Sequence, residues 1–176
     1  MDVTTQEQTQ DQAIEVAPYK SAAERRAEGK ALREKISRAG HREWKAPKNR
    51  RDPIDILNES NKDRFPNLVP IRFGRMMRTP FAFYRGSAAV MAADLATTRT
   101  TGIRVQACGD AHLSNFGGFA TPERRVIFDI NDFDETLPGP WEWDIKRLVA
   151  SIVLAGRHIR LSETDTARAV AATARS

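Results

Sequence analysis

The sequence has a single cysteine, Cys108. No internal disulfide is open to it, which fits a reducing compartment. No stretch approaches the roughly 18 apolar residues needed to cross a bilayer. The N-terminal run MDVTTQEQTQDQ is polar and lacks the apolar heart of a secretory leader. A cytoplasmic chain with no membrane partner is therefore expected. Histidine is scarce as well: His41, His112 and His158. With Cys108 four residues from His112 and no other ligand at zinc spacing, a zinc site is not expected. The 176 residues leave room for one core plus an extension.

What the chain does have is charge, unevenly spread. The net charge of +5 hides an acidic island. Residues 105–145 hold two arginines against eight Asp and Glu, whereas residues 67–104 hold six arginines against one acid. Packed carboxylates repel unless something positive lies among them. Arginines could supply that charge, and so could a divalent metal. Charge alone leaves both open.

Along the chain, residues 1–19 read as a disordered tail. Residues 20–51 read as a basic helix and a solvated linker. Ser21 with Glu24 makes a capping box, and Gly40 is the expected stop. Nucleic-acid binding by this basic run is not expected, because aromatics are few and no DNA-binding fold is recognisable. Residues 52–176 form the main domain. Asp52-Pro53 opens a short helix, and NLVPIRFGRMMR gives another that ends at Thr79-Pro80. Phe81, Phe83 and Tyr84 read as a turn packed under a loop. GSAAVMAADLAT, with Ala88, Ala92 and Ala96 four apart, reads as a closely packed helix. Ile103, Val105 and Ala107 alternate as a strand does. A loop and a hairpin follow, with RVIFDI as the hairpin's second strand. After Pro138-Gly139-Pro140, the stretch Trp141–His158 carries Ile145, Leu148, Val149, Ile152 and Val153 at amphipathic-helix spacing. Ser162 and Asp165 start a last helix, expected to run on to residue 176. The fold class is α+β, mainly helical, with a small antiparallel hairpin.

The chemistry-bearing residues lie in CGDAHLSNFG and FDINDFDE. Gly109 permits a tight turn out of the first strand. Asp110 and Asn115, five apart in a loop, let two oxygens converge on one cavity. The second segment brings Asp129, Asp132 and Asp134 to the same end. Asn and Asp oxygens suit Mg²⁺, which keeps waters and takes few protein carboxylates. Plainer alternatives stand beside this. Asp110 and Asn115 could satisfy their own backbone in a polar turn. The acidic loop could be solvated. Asp144 could be a helix cap. Arg72, Arg75 and Arg85 could reach phosphate or could offset internal carboxylates.

An Asp, an Asn five residues on, then a strand into Asp-Phe is the order of the protein-kinase catalytic and metal loops. The form Gly-Asp-x-His-x-x-Asn resembles aminoglycoside and choline phosphotransferases more closely. The stretches LVPIRFGRM, PFAFYRG, VMAADLA, CGDAHLSNFG and FDINDFDETLPGPWEWDIKRL also closely resemble an uncharacterised bacterial family, whose function the motifs do not state. The phosphotransferase resemblance implies the C-terminal lobe of a kinase-like fold, with ATP and Mg²⁺ as cofactors. It implies Asp110 as the catalytic base and His112 as the loop histidine beside it, positioning rather than carrying a proton. Asn115 and Asp132 would bind metal. Asp129 or Asp134 would be a second ligand, and Asp132 is preferred to Asp129 because Phe133 follows it. Asp144 would brace the loop from below. Asp134 stands where such loops carry glycine. No Gly-x-Gly-x-x-Gly and no lysine-bearing strand precede Asp110. The family resemblance implies that both follow this region in longer members, so the chain is expected to be a fragment without its ATP cradle.

The leading expectation is Mg²⁺-dependent phosphoryl transfer from ATP to a hydroxyl on a small molecule or protein. Two competitors use the same acids: a non-catalytic module that binds metal or nucleotide, and a metal-dependent phosphoesterase.

Overall fold

The computed structural model describes residues 19–175. The tail expected over residues 1–19 lies outside them, except for Tyr19. Among the described residues, seven α-helices and four short strands follow one another, so the chain is a mixed α+β protein.

Helix α1 (Ala22–Lys35) starts as its sequence demands. The Ser21 hydroxyl accepts the Glu24 N–H and the Glu24 carboxylate accepts the Ser21 N–H. None of its residues is buried. It stops before Gly40, because Ile36 turns to extended backbone and buries its side chain. Gly40 instead sits in a 3-10 turn, Ala39–Arg42. The linker is mostly exposed, as a solvated linker should be, but it is anchored at Arg50. Arg50 makes a two-pronged ion pair with Asp94, both contacts at 2.7 Å, and its guanidinium stacks over Trp44.

Four helices then build the core: α2 (Pro53–Glu59), α3 (Val69–Met76), α4 (Pro80–Arg85) and α5 (Ala88–Leu95). Asp52 and Thr79 cap α2 and α4, each with proline at the first helical position, where its missing N–H costs nothing. The stretch expected to be a turn at Phe81–Tyr84 is therefore helical. Ile56, Leu57, Met76 and Val90 form the buried cluster, with Phe73 and Ala93 against it. Gly86 lets α4 and α5 close over it, since a Cβ there would lie 2.6 Å from the Met76 sulfur. The alanine stripe does not form the packed face of α5. Val90 and Leu95 are buried, while Ala96 is exposed.

Two small antiparallel sheets carry the rest. Strand β2 (Phe116–Ala120) pairs with β3 (Val126–Ile130), the expected hairpin. Strand β1 (Arg104–Ala107) pairs with β4 (Leu137–Pro140), from Arg104 opposite Pro140 to Ala107 opposite Leu137. The proline pair that reads as a breaker is thus a short edge strand, where prolines are tolerated. Helix α6 (Trp141–His158) leaves β4 directly and packs on α4, α5, β1 and α7 (Glu163–Thr173). Ser162 caps α7, which ends at Thr173 rather than running to the last residue. Among the described residues no helix is long and apolar enough to cross a membrane.

Candidate functional site

Polar side chains share the buried surface of α6 with its apolar stripe. Ile145 is exposed, whereas Glu142, Arg147, Ser151 and Gly156 are buried together with Ile152. The polar members of this face hold the loop after β1, residue by residue. The Asp144 carboxylate accepts the Cys108 N–H at 2.7 Å and the Gly109 N–H at 3.1 Å. Arg147 Nε donates to Asp110 Oδ1 at 2.5 Å. The Ser151 hydroxyl accepts the Leu113 N–H at 2.9 Å. Positions 144, 147 and 151 fall on one helix face, so successive turns of α6 meet successive parts of the loop. On the other side of the first turn, Glu142 Oε1 accepts the Thr101 N–H and hydroxyl, fixing the chain ahead of β1.

The acidic loop is stitched to the same segment. Gly109 has φ +84°, and a Cβ on it would lie 2.1 Å from the Glu135 carbonyl oxygen. The Asn131 N–H donates to the Asn115 carbonyl at 3.0 Å. The Thr136 hydroxyl donates to the Ala107 carbonyl at 2.7 Å, and the Cys108 thiol lies 3.3 Å from the Asp132 carbonyl. The two turns lie side by side, with no apolar layer between their backbones.

Asp110, His112, Asn115 and Asp132 line one cavity of about 800 Å³. Asp110 also borders an adjoining cavity with Asp134, Glu135, Arg64 and Arg85. Asp129 stands apart: it is exposed on β3, its carboxylate accepts the Ile130 N–H, and it lines neither space. Another cavity, of about 640 Å³, lies between the linker and α4–α6 and contains none of the predicted site residues.

Electrostatics sharpen the picture. The Asp110 side chain keeps 10% exposure, and its Oδ2 lies 3.9 Å from His112 Nε2. Burial pushes the His112 imidazole below its usual range, and Arg147 and Arg85 push the same way against Asp110. The ring is therefore neutral near pH 7, which suits positioning. Burial raises the Glu135 carboxyl, and Asp110, Asp132 and Asp134 add to the rise. Burial also pushes the Tyr84 phenol up to about 12. That phenol donates to the Arg147 carbonyl at 2.8 Å, and the Arg147 guanidinium lies 4.5 Å over the Tyr84 ring.

The donor set fits a hard cation of modest demands. Asn115 Nδ2 donates to the Asp110 carbonyl at 2.9 Å, which leaves the amide oxygen as the free end. Asp132 Oδ1 accepts the Asp134 N–H at 3.3 Å, leaving its second oxygen. Among the described residues no three His, Cys, Asp or Glu side chains converge as a metal cage. Mg²⁺ needs no such cage, since it takes one or two carboxylates, waters and phosphate oxygens.

Arg147, Ser151 and Tyr84 are the residues that sequence reasoning missed. The signal was present: Asp144, Arg147 and Ser151 recur at helical spacing inside an apolar helix. Arg72 lines the large cavity with Arg75 and Arg85, but it is also engaged structurally. Its guanidinium donates to Asn61 Oδ1 and the Gly86 carbonyl, so it ties α2, α3 and α4 together.

Fold and site together define an α+β protein whose polar loop is clamped between one helix and an acidic turn. Within that class, the chain belongs to the family described as an uncharacterized protein conserved in bacteria (DUF2252), whose model matches residues 64–176. No curated protein and no solved structure matches it.

Proposed function

We propose that this chain carries the catalytic and metal-binding half of a kinase-like phosphotransferase site. One observation carries the reading: Asp110, Asn115 and Asp132 line a single cavity while Asp144 holds the loop from behind. In this reading Asp110 Oδ2 accepts the proton of the attacking hydroxyl as that oxygen bonds to the transferred phosphorus and the nucleotide diphosphate leaves. Arg147 fixes the carboxylate through its other oxygen. Asp144 sets the loop height, and neutral His112 fills the space beside Asp110 without competing for the proton. Asn115 and Asp132 would hold Mg²⁺, which neutralises charge on the phosphates. The carboxylates crowded around Glu135 favour such a cation.

The test is ADP formation with Mg·ATP across a panel of hydroxyl compounds. In a full-length protein that includes the expected nucleotide-binding segment, Asp110→Ala and Asp132→Ala are each expected to abolish turnover with the circular dichroism spectrum unchanged. Normal turnover in both would end the reading.

One observation favours a second reading, a nucleotide-binding module without transfer. Asp110 is already engaged by a buried guanidinium, so its carboxylate serves as half of a structural ion pair. Mg²⁺-dependent nucleotide binding with no ADP formed by any acceptor would support that module instead.

A further inference from the structure

The arginines of the chain fall into two kinds. Arg50, Arg51 and Arg147 each have a carboxylate within ion-pair reach. Arg64, Arg75 and Arg85, all exposed and all lining the cavity that contains Asp110, have none among the described residues. Arg64 and Arg85 also border the adjoining space, so they stand between the two hollows. Arg72 beside them is partly buried, and burial together with the charge of Arg64 lowers its affinity for a proton. Like charges gathered without partners repel, and an anion relieves that repulsion. Guanidinium forks match phosphate oxygens in pairs. Apolar side chains line the same cavity beside Arg75, with Leu68 and Ile71 each about half exposed.

We propose that Arg64, Arg75 and Arg85 form a phosphate-receiving site facing the Asp110 loop, for a ligand with a phosphoryl group and a less polar body. The proposal rests on the reading of this cavity as a phosphotransfer site. It adds that the mouth of the site recognises phosphate directly, before any metal is involved. Two sources share that chemistry: the polyphosphate of a nucleotide, and a phosphate monoester on the acceptor.

Titration calorimetry with inorganic pyrophosphate in magnesium-free buffer tests it. The full chain is expected to bind saturably. Arg75→Gln and Arg85→Gln are each expected to weaken binding about tenfold, the loss of one charge-assisted contact. Arg75 is exposed and has no ion-pair partner, so its replacement leaves the fold intact. Arg168→Gln, an exposed change on α7, should bind as the parent does. Asp132→Asn should also retain pyrophosphate, whereas it abolishes transfer, so the two readings fail separately. Glycerol phosphate binding with the same arginine dependence under saturating Mg·ATP assigns the site to the acceptor. Displacement by ATP assigns it to the donor phosphates. Absence of saturable binding, or affinity equal to the parent's in both arginine variants, overturns the proposal.

Discussion

Arg147 Nε lies 2.5 Å from Asp110 Oδ1, with the two side chains only 3% and 10% exposed. A pair so enclosed is held from several sides. The same guanidinium donates to the Tyr84 carbonyl at 2.9 Å and covers the Tyr84 ring. The loop aspartate, the long helix and α4 therefore meet at one buried charge.

Breaking that pair on one side leaves an uncompensated charge. Arg147→Met is expected to cost about 3–5 kcal/mol, because Asp110 is then stranded. Asp110→Asn should also destabilise. The double variant Asp110→Asn/Arg147→Met should lose clearly less than the sum of the two. Urea unfolding of all four proteins checks this as a double-mutant cycle. Strict additivity would mean the two groups do not stabilise one another.

The brace at Asp144 should be felt by the backbone it holds. Each of its bonds joins a carboxylate to an N–H, worth about 1.5–3 kcal/mol when charge-assisted. Asp144→Ala should remove both, and Asp144→Asn should keep part through its amide oxygen. Amide hydrogen exchange should quicken at Cys108 and Gly109 in the alanine variant. Unchanged protection at both amides would show that the brace is ornamental.

Gly109→Ala combines two penalties. The left-handed backbone at φ +84° disfavours a side chain, and the Glu135 carbonyl fills the space for one. The loss should exceed the roughly 1 kcal/mol typical of a left-handed site alone, because backbone must move. Thermal unfolding measures the cost. Gly102→Ala, at φ +88° with nothing within 4 Å of a Cβ, is the matched control for the left-handed penalty alone.

His112 gives the apo chain a pH dependence of known sign. Its imidazole is pushed below the ordinary value near 6.5 in the fold. The unfolded chain thus binds the proton more readily, and stability falls as pH drops through about 6.5. Glu135 works the other way: its raised carboxyl favours the folded state at low pH and loses that benefit as pH rises above its ordinary 4.5. His112→Gln should flatten the fall between pH 7 and pH 5 while leaving the Glu135 contribution. Parallel stability profiles for the parent and His112→Gln would contradict the assignment.

The local signals were legible in the sequence where one residue type has one job. Ser21 with Glu24 announced a helix start, the Pro-Gly-Pro run and the apolar spacing announced α6 at its true bounds, and Ser162 announced α7. Signals that depend on distant partners were not legible. Ile36 ends α1 early because it is buried by the rest of the chain. Leu137–Pro140 became a strand only because β1 lay beside it. At the site, Asp110, Asn115 and Asp132 could be foreseen to approach, since motif order sets loop order. Asp129 could not be separated from Asp132 by spacing, yet strand register turned it away. Arg147 was hidden because a charge within an amphipathic helix ordinarily faces water. Here it faces a carboxylate instead.

The ladder on α6 makes the loop sensitive to length, not only to composition. Each residue advances an α-helix by about 100°. One residue inserted between Asp144 and Arg147 would swing Arg147 and Ser151 a quarter-turn or more off the loop while Asp144 kept its grip. Asp110 and Leu113 would lose their anchors together, without any side chain having been replaced. The Thr121–Arg125 turn of the hairpin has no such phase to preserve. Relatives of this chain should vary in length there and stay fixed in length from Glu142 to Ser151.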